Sequence, residues 1–246
     1  MMRLGYSRSL PAAAAILAAA LAGAGQGKTA ATAPAATAPA TTRKAPPGHV
    51  ALVFTLPRPR FAGTPKHIPP GTNVLKPTGK PRPPVFAPRG TVNIALKRPV
   101  TSSDPEPIIG ELAMVTDGDK EAADGSFVEL GPDKQWVQID LGRRCRVHAV
   151  LVWHYHCDPR VYRDVIVQVA DDKDFIKGVR TLFNADHDNS SGLGVGKDHE
   201  YFDTAEGKLI AAGGVAARYV RLYSRGSTAN AQNHYTEVEV YGKPVK

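Results

Sequence analysis

Acidic residues are missing from the first 89 positions, which hold 12 Lys and Arg, so all 23 Asp and Glu fall beyond them against the remaining 19 basic residues. The formal net charge of +8 therefore describes a basic arm ahead of a mildly acidic domain. Such an arm can dock on acidic polysaccharide, anionic lipid or nucleic acid, or can be a solvated envelope linker. Dilution of its Arg and Lys by proline favours the linker, and no specific nucleic-acid partner is expected. Cysteine is nearly absent as well, with only Cys145 and Cys157. The run between them, 146–155, reads as one strand, which at about 3.3 Å per residue holds the two cysteines about 40 Å apart. A disulfide tolerates only about 7 Å between Cα atoms, so two free thiols are expected. Long amphipathic helices and internal repeats are also lacking. No Ser, His and Asp combination has a local catalytic signature, so no catalytic residue is assigned. A hydrolase assembled from scattered loop carboxylates such as Asp158, Glu129 and Asp133 is the one enzymatic alternative.

What is present begins with Arg3 and Arg8 around an Ala/Leu/Ile run from Leu10 to Leu21, followed by Ala22-Gly23-Ala24. This pattern reads as a secretory signal peptide over 1–24, with the mature chain starting near Gly25. The run is short and alanine-rich for a membrane span, so no span is expected after cleavage, and the product is secreted, periplasmic or cell-surface. Residues 25–47, rich in Ala, Thr and Pro, have too little apolar surface to offset chain entropy and read as a disordered tether. Residues 48–89 combine one strand candidate, 49–56, with a proline density that forbids helix and interior ladders. This basic segment either wraps against the following domain or engages a partner in extended form, and its apolar strand favours wrapping.

Regular strand signals start near residue 91. Val137, Ile139 and Leu141 alternate with Trp136, Gln138 and Asp140, the pattern of a strand covered on one side. The next stretch is apolar on both faces, with Val147, Ala149, Leu151, Trp153 and Tyr155 on one and Val150 and Val152 on the other, as in a central strand. Val165, Val167 and Val169 mark another strand, followed by 177–183, 218–223 and 236–241. The only helical candidate is a turn at Asp172-Lys173-Asp174-Phe175. Short strands joined by polar turns predict an all-β, two-sheet sandwich.

Five motifs occur in one order: Asn93-Ile94-Ala95-Leu96, Thr116-Asp117-Gly118-Asp119, Trp136-Val137-Gln138-Ile139-Asp140-Leu141-Gly142, Arg218-Tyr219-Val220-Arg221-Leu222 and Thr236-Glu237-Val238-Glu239-Val240-Tyr241-Gly242. Together they resemble the discoidin, or coagulation-factor type C, family, which is similar to family 32 carbohydrate-binding modules. The resemblance implies a galactose-binding-like jelly-roll β-sandwich over 90–243. It also implies a secreted, non-catalytic module, often for glycans, with a structural calcium ion. Function sits in the loops of such a scaffold, so the ligand is not named by it.

Asp117-Gly118-Asp119 lets carboxylate and carbonyl oxygens converge on a hard cation, calcium being the natural candidate; a solvated β-turn is the plainer alternative. The resemblance completes that shell with Glu237 and with a hydroxyl residue a few positions after the turn, where this chain has Ala122 and Ala123. His154 and His156 share one strand face, which makes a transition-metal pair conceivable, but no spacing supplies a third ligand. The end of that strand, His154-Tyr155-His156-Cys157-Asp158-Pro159-Arg160, fits glycan recognition better. An aromatic face stacks on the C–H surface of a sugar while His and Arg bond its hydroxyls. Sugar-binding relatives place an Arg on this loop, a role matched by Arg160 with Arg163 as competitor.

A second polar loop, 224–235, carries Asn233 and His234, which either meet ligand or satisfy turn backbone. The candidate ligand-binding set is Tyr155, His156, Arg160, Asn233 and His234, with Asp117, Asp119 and Glu237 for the metal. The long connection 184–199 reads as a mobile lid or edge; its Gly192, Gly194, Gly196 and Lys197 lack the residues and the helix of a phosphate loop. The expected partner is a carbohydrate or glycoconjugate. The alternative is an adhesion or assembly module whose same face meets an envelope or protein partner.

Overall fold

A computed structural model describes residues 44–61, 65, 67–75, 82–123 and 125–245. The expected signal peptide and most of the expected tether lie outside the described residues. Within them no helix is long and apolar enough to cross a membrane. Among the described residues the one helical element is a 3₁₀ turn, Leu112–Thr116, and the others are strand and loop. In chain order the strands are β1 (His49–Ala51), β2 (Phe86–Pro88), β3 (Val92–Asn93), β4 (Val100–Ser102), β5 (Val128–Leu130), β6 (Gln135–Trp153), β7 (Ile166–Ala170), β8 (Arg180–Asn184), β9 (Lys208–Ser224), β10 (Asn233–Tyr235) and β11 (Glu237–Pro244).

The main sheet runs β3-β11-β6-β9-β7-β8, with β4 also on β6, and its pairings are antiparallel. Two long strands, β6 and β9, pass through both halves of it. Their pairing breaks register between Asp140 and Cys145 and again between Val147 and Ala149. Gly142, at φ +80°, adopts the left-handed backbone that the first break requires. Bulges of this kind bend a ladder, so one half-sheet folds over the other. The inner faces form one core: Val137, Ile139, Leu141, Val167, Val169, Val220 and Leu222 from one half, and Val147, Val150, Val152, Ile210, Val238 and Val240 from the other. The result is an all-β, antiparallel sandwich, the fold class that the strand pattern of the sequence implies.

The outer face of the second half is apolar too. Ala149, Leu151, Trp153 and Tyr241 are buried there beneath Leu52 and Ala87, with Phe54, Leu56 and Val85 packed around them. Phe54 meets the Tyr241 ring edge-on at 5.1 Å. The proline-rich segment therefore wraps on the sandwich as a strap, its β1 and β2 forming a small antiparallel pair. Further along, Asn73 exchanges two hydrogen bonds with Glu200, donating from its backbone N at 2.9 Å and accepting Glu200 N at 2.8 Å. Arg163 Nη1 donates to Gly71 O at 3.0 Å.

Two expectations need correcting, and two others take a definite form. The strand at 49–56 is confined to His49–Ala51, because prolines prevent the ladder from extending. Val147 faces the inner core with Val150 and Val152, since the bulge before Ala149 resets the alternation. Asp172–Phe175 is a turn whose Asp172 carboxylate accepts the N–H groups of Asp174, Ile176 and Lys177. The 184–199 connection is tied at its root by Asp186, which is fully buried and accepts from Ser190 N, Ser191 N and the Ser191 hydroxyl, while residues 187–190 are exposed. Both cysteines are free.

Candidate loop face and acidic sites

The chain leaves β6 at Trp153 and enters the loop read as ligand-binding. Tyr155 is half-buried, and the Arg160 guanidinium lies over its ring at 4.6 Å. Asp158 holds that guanidinium through both carboxylate oxygens, at 2.9 and 2.8 Å from Nη2. Phe127, just before β5, meets Tyr155 edge-on at 5.0 Å and lies 5.8 Å from the His234 ring. β10 pairs with β5, opposing His234 to Glu129, so the loop before β5 and the loop after β6 meet the last loop on one surface. Arg163, the competitor, spends its Nη1 on Gly71 O of the strap.

His234 belongs to this cluster but is only 3% exposed. Burial pushes its imidazole down to about 4, with repulsion from Arg160 and His154 adding to the effect. Its Nε2 approaches Glu129 Oε2 at 3.2 Å, which favours the charged ring. Enclosure is the larger influence, so the ring is neutral at physiological pH and the contact is not an ion pair.

Arg160 is itself only 9% exposed, and two further members of the expected ligand set do not reach the face. Asn233 is fully buried: its Oδ1 accepts from Ser224 Oγ and Gly226 N, and its Nδ2 donates to Gly131 O and Asp133 O. All of its polar capacity holds turns together, the structural alternative weighed in the sequence. His156 is fully buried as well and places Nε2 2.7 Å from Lys120 O. His154, the other half of the conceivable metal pair, sits against Asp203 at 3.2 Å with both side chains sealed, stacked on Tyr162 at 4.4 Å. Phe127 was missed. Its sequence signal is a lone aromatic in a polar loop, which carries no period.

Glu237 opens β11, fully buried. Its Oε2 accepts from Gly118 N at 3.1 Å, so the last strand does meet the Asp-Gly-Asp turn, while its Oε1 is enclosed without a partner. Burial pushes the carboxyl up to about 9, with Glu239 and Asp117 opposing a second negative charge. An enclosed carboxyl oxygen lacking a donor fits a cation. The rest of the turn fits less well. Asp117 Oδ1 and Asp119 Oδ1 accept Asp119 N and Glu121 N, and the carbonyls of Lys120 and Ala122 take the His156 ring nitrogen and the Cys157 thiol.

The acids that do converge are Asp164, Asp186 and Asp188, with one oxygen of each within 4.8 Å of the others, a group that could hold a metal ion. Asp164 also accepts from Ser190 Oγ at 2.6 Å. The hypothetical hydrolase carboxylates are otherwise engaged, Asp158 by Arg160 and Glu129 beside His234.

No protein-family model and no curated protein matches the chain. Among solved structures it is similar to a family 89 glycoside hydrolase from Clostridium perfringens, at 17% identity and a TM-score of 0.48 over 63% of this chain. That match spans 15% of the hydrolase. The family 32 carbohydrate-binding module of AlyQ, in complex with 4,5-unsaturated mannuronic acid, matches at 18% identity and 0.43, over 58% of this chain and 92% of the module. A Streptococcus pneumoniae fucose-binding module matches at 18% and 0.44, over 61% and 97%. Similarity at this level assigns no ligand to the present chain.

Proposed function

We propose that this chain is a secreted, non-catalytic module that binds carbohydrate through the loop face of its sandwich. The observation that carries this reading is the Tyr155–Arg160–Asp158 arrangement beside Phe127. It combines an aromatic surface, a guanidinium fixed by a bidentate carboxylate, and a second carboxylate at Glu129. Sugars take this combination well: C–H faces stack on rings, while pre-oriented charged groups bond hydroxyls at little further entropic cost. Tyr155, Arg160 and Asp158 are the contact residues, and His234 supports them from behind.

The same reading places a structural calcium between Glu237 and the Asp117–Asp119 turn. Support comes from the partnerless Oε1 of Glu237. The ion would supply the positive charge that lets this carboxylate ionise, fixing the first loop to the last strand. The acidic group Asp164, Asp186 and Asp188 is the competing position. Asp186→Asn and Glu237→Gln distinguish the two, because only the variant at the true site abolishes calcium-dependent thermal stabilisation.

The second reading, docking of an envelope protein, draws on Ile108 and Ile109, which are 58% and 37% exposed beside Glu129. A glycan array probed with the mature chain, with and without chelator, separates the two. Sugar recognition predicts a defined glycan hit that Tyr155→Ala abolishes. No hit, together with a specific envelope protein lost in Ile108→Ser/Ile109→Ser, supports docking.

A further inference from the structure

A second concavity lies away from the loop face, where residues 82–85 of the strap cross the loop before β9 and the start of that strand. It has a volume of about 480 Å³ and is lined by Arg82, Val85, Tyr201, Phe202, Glu206 and Lys208 among others. That volume is within the range of small-molecule sites, roughly 300–1,000 Å³. The loop is fixed there by Trp153, whose Nε1 donates to Ala205 O at 3.0 Å. Gly207 lies so close over the indole that a Cβ would come within 2.7 Å of it.

Two cations line this groove. Lys208 Nζ sits between the Phe183 and Tyr201 rings, at 4.7 and 4.5 Å, with no carboxylate within ion-pair distance among the described residues. Arg82 donates through Nη2 to the carbonyls of Glu206 and Gly207, and its Nη1 is enclosed without an acceptor. Burial lowers the affinity of both groups for their protons. The facing acids are engaged elsewhere, Asp203 with His154 and Asp198 with Asn184 N. The remaining carboxylate, Glu206, is 58% exposed and stands 3.6 Å from Arg82, a loose pair at the mouth. The groove thus already accepts one carboxylate, its own, on a guanidinium beside a desolvated ammonium and an aromatic wall.

We propose that this strap-built groove binds a carboxylate-bearing saccharide, whose acid group replaces Glu206 on Arg82 and Lys208 while its ring packs on Tyr201 and Phe202. Guanidinium–carboxylate pairs are among the stronger charge-assisted contacts, and partial enclosure limits their screening. This site is independent of the loop-face proposal.

Calorimetric titration of the mature chain with tetragalacturonate tests it, with a neutral galactose tetramer of equal length as control. The expected result is binding of the acidic tetramer only, weakened about tenfold or more by Arg82→Gln or Lys208→Gln, since one lost ion pair of about 1.4 kcal/mol is a factor of ten. Glu206→Gln should tighten binding severalfold, and Arg160→Gln should leave it unchanged. Lys208 packs between two rings, so if Lys208→Gln fails to fold, Arg82→Gln and Glu206→Gln decide. Absence of binding, equal binding of the neutral tetramer, insensitivity to Arg82→Gln, or a Glu206→Gln variant that binds no better would overturn the proposal.

Discussion

The two faces of the β6–β11 half-sheet are equally apolar but are buried by different means. Inside, Val150, Val152, Val238 and Val240 meet side chains of the same sandwich, so that core closes within residues 90–245. Outside, Leu151, Trp153 and Tyr241 are covered from a segment separated by many prolines and held by few strand contacts. An antiparallel sheet packed on a core through one face commonly turns the other to water. Here the face is a seat for the strap, and the strap in turn builds a groove. The proline-rich segment is therefore part of the folded unit in energetic terms, although it precedes the sandwich in sequence.

Removing residues 44–89 breaks the comparison most severely. Uncovering Trp153, Leu151 and Tyr241 while losing Leu52, Phe54 and Ala87 should cost about 5 kcal/mol or more at 1.5–3 kcal/mol per large side chain. For a domain of this size that lowers Tm by about 10 °C or more, read by differential scanning calorimetry. An unchanged Tm would show that the outer face tolerates water. Single substitutions sharpen the contrast. Leu222→Ala, in the sealed inner core, should cost about 3–5 kcal/mol, and Leu52→Ala about 2 kcal/mol, because a strap can settle into the space whereas a sandwich cannot. Equal values in urea melts would mean that the strap is as rigid as the core.

A smaller effect distinguishes Glu237 of β11 from His234 of β10 by pH. Without metal, the folded state holds a proton on Glu237 up to about 9, whereas the unfolded chain releases it near the usual glutamate value of 4.5. The folded state then binds more protons across that window, so stability is present at low pH and lost as pH rises, at most about 1.4 kcal/mol per unit. His234 acts oppositely. Its value of about 4 against 6.5 makes stability fall as pH drops from 6.5 towards 4. Of these two groups, only Glu237 acts between pH 7 and 9. Melts of chelated protein should therefore show Tm declining over that interval, calcium should flatten the decline, and Glu237→Gln should remove both behaviours. A flat profile in chelated wild type would exclude this account of Glu237.

Strand existence and facing were largely legible in the sequence, because alternation along residues 137–141 and the two-sided run at 149–153 are properties of the residues themselves. Parity across residues 147–149 was not. A bulge adds one residue to one strand without changing composition, so Val147 appeared to face with Ala149. The meeting of Tyr155 with Arg160 was legible, since the two lie within a few positions of each other in the chain. Asn233 and His156 misled because amides and imidazoles suit ligand contact and turn closure equally; only burial and hydrogen bonding separate the two uses. The strap groove was invisible, since Arg82 and Lys208 lie more than a hundred residues apart and meet only through the wrapped proline-rich segment.

The central claim, that the loop face recognises sugar, is tested most directly by measuring affinity for the array-selected glycan in wild type, Tyr155→Ala and Arg160→Gln. The account predicts an affinity loss of about tenfold or more in each variant, about 1.4 kcal/mol per lost stacking or charged contact, with Tm within a few degrees of wild type. Wild-type affinity in both variants, or no glycan bound by the wild-type chain, would contradict it.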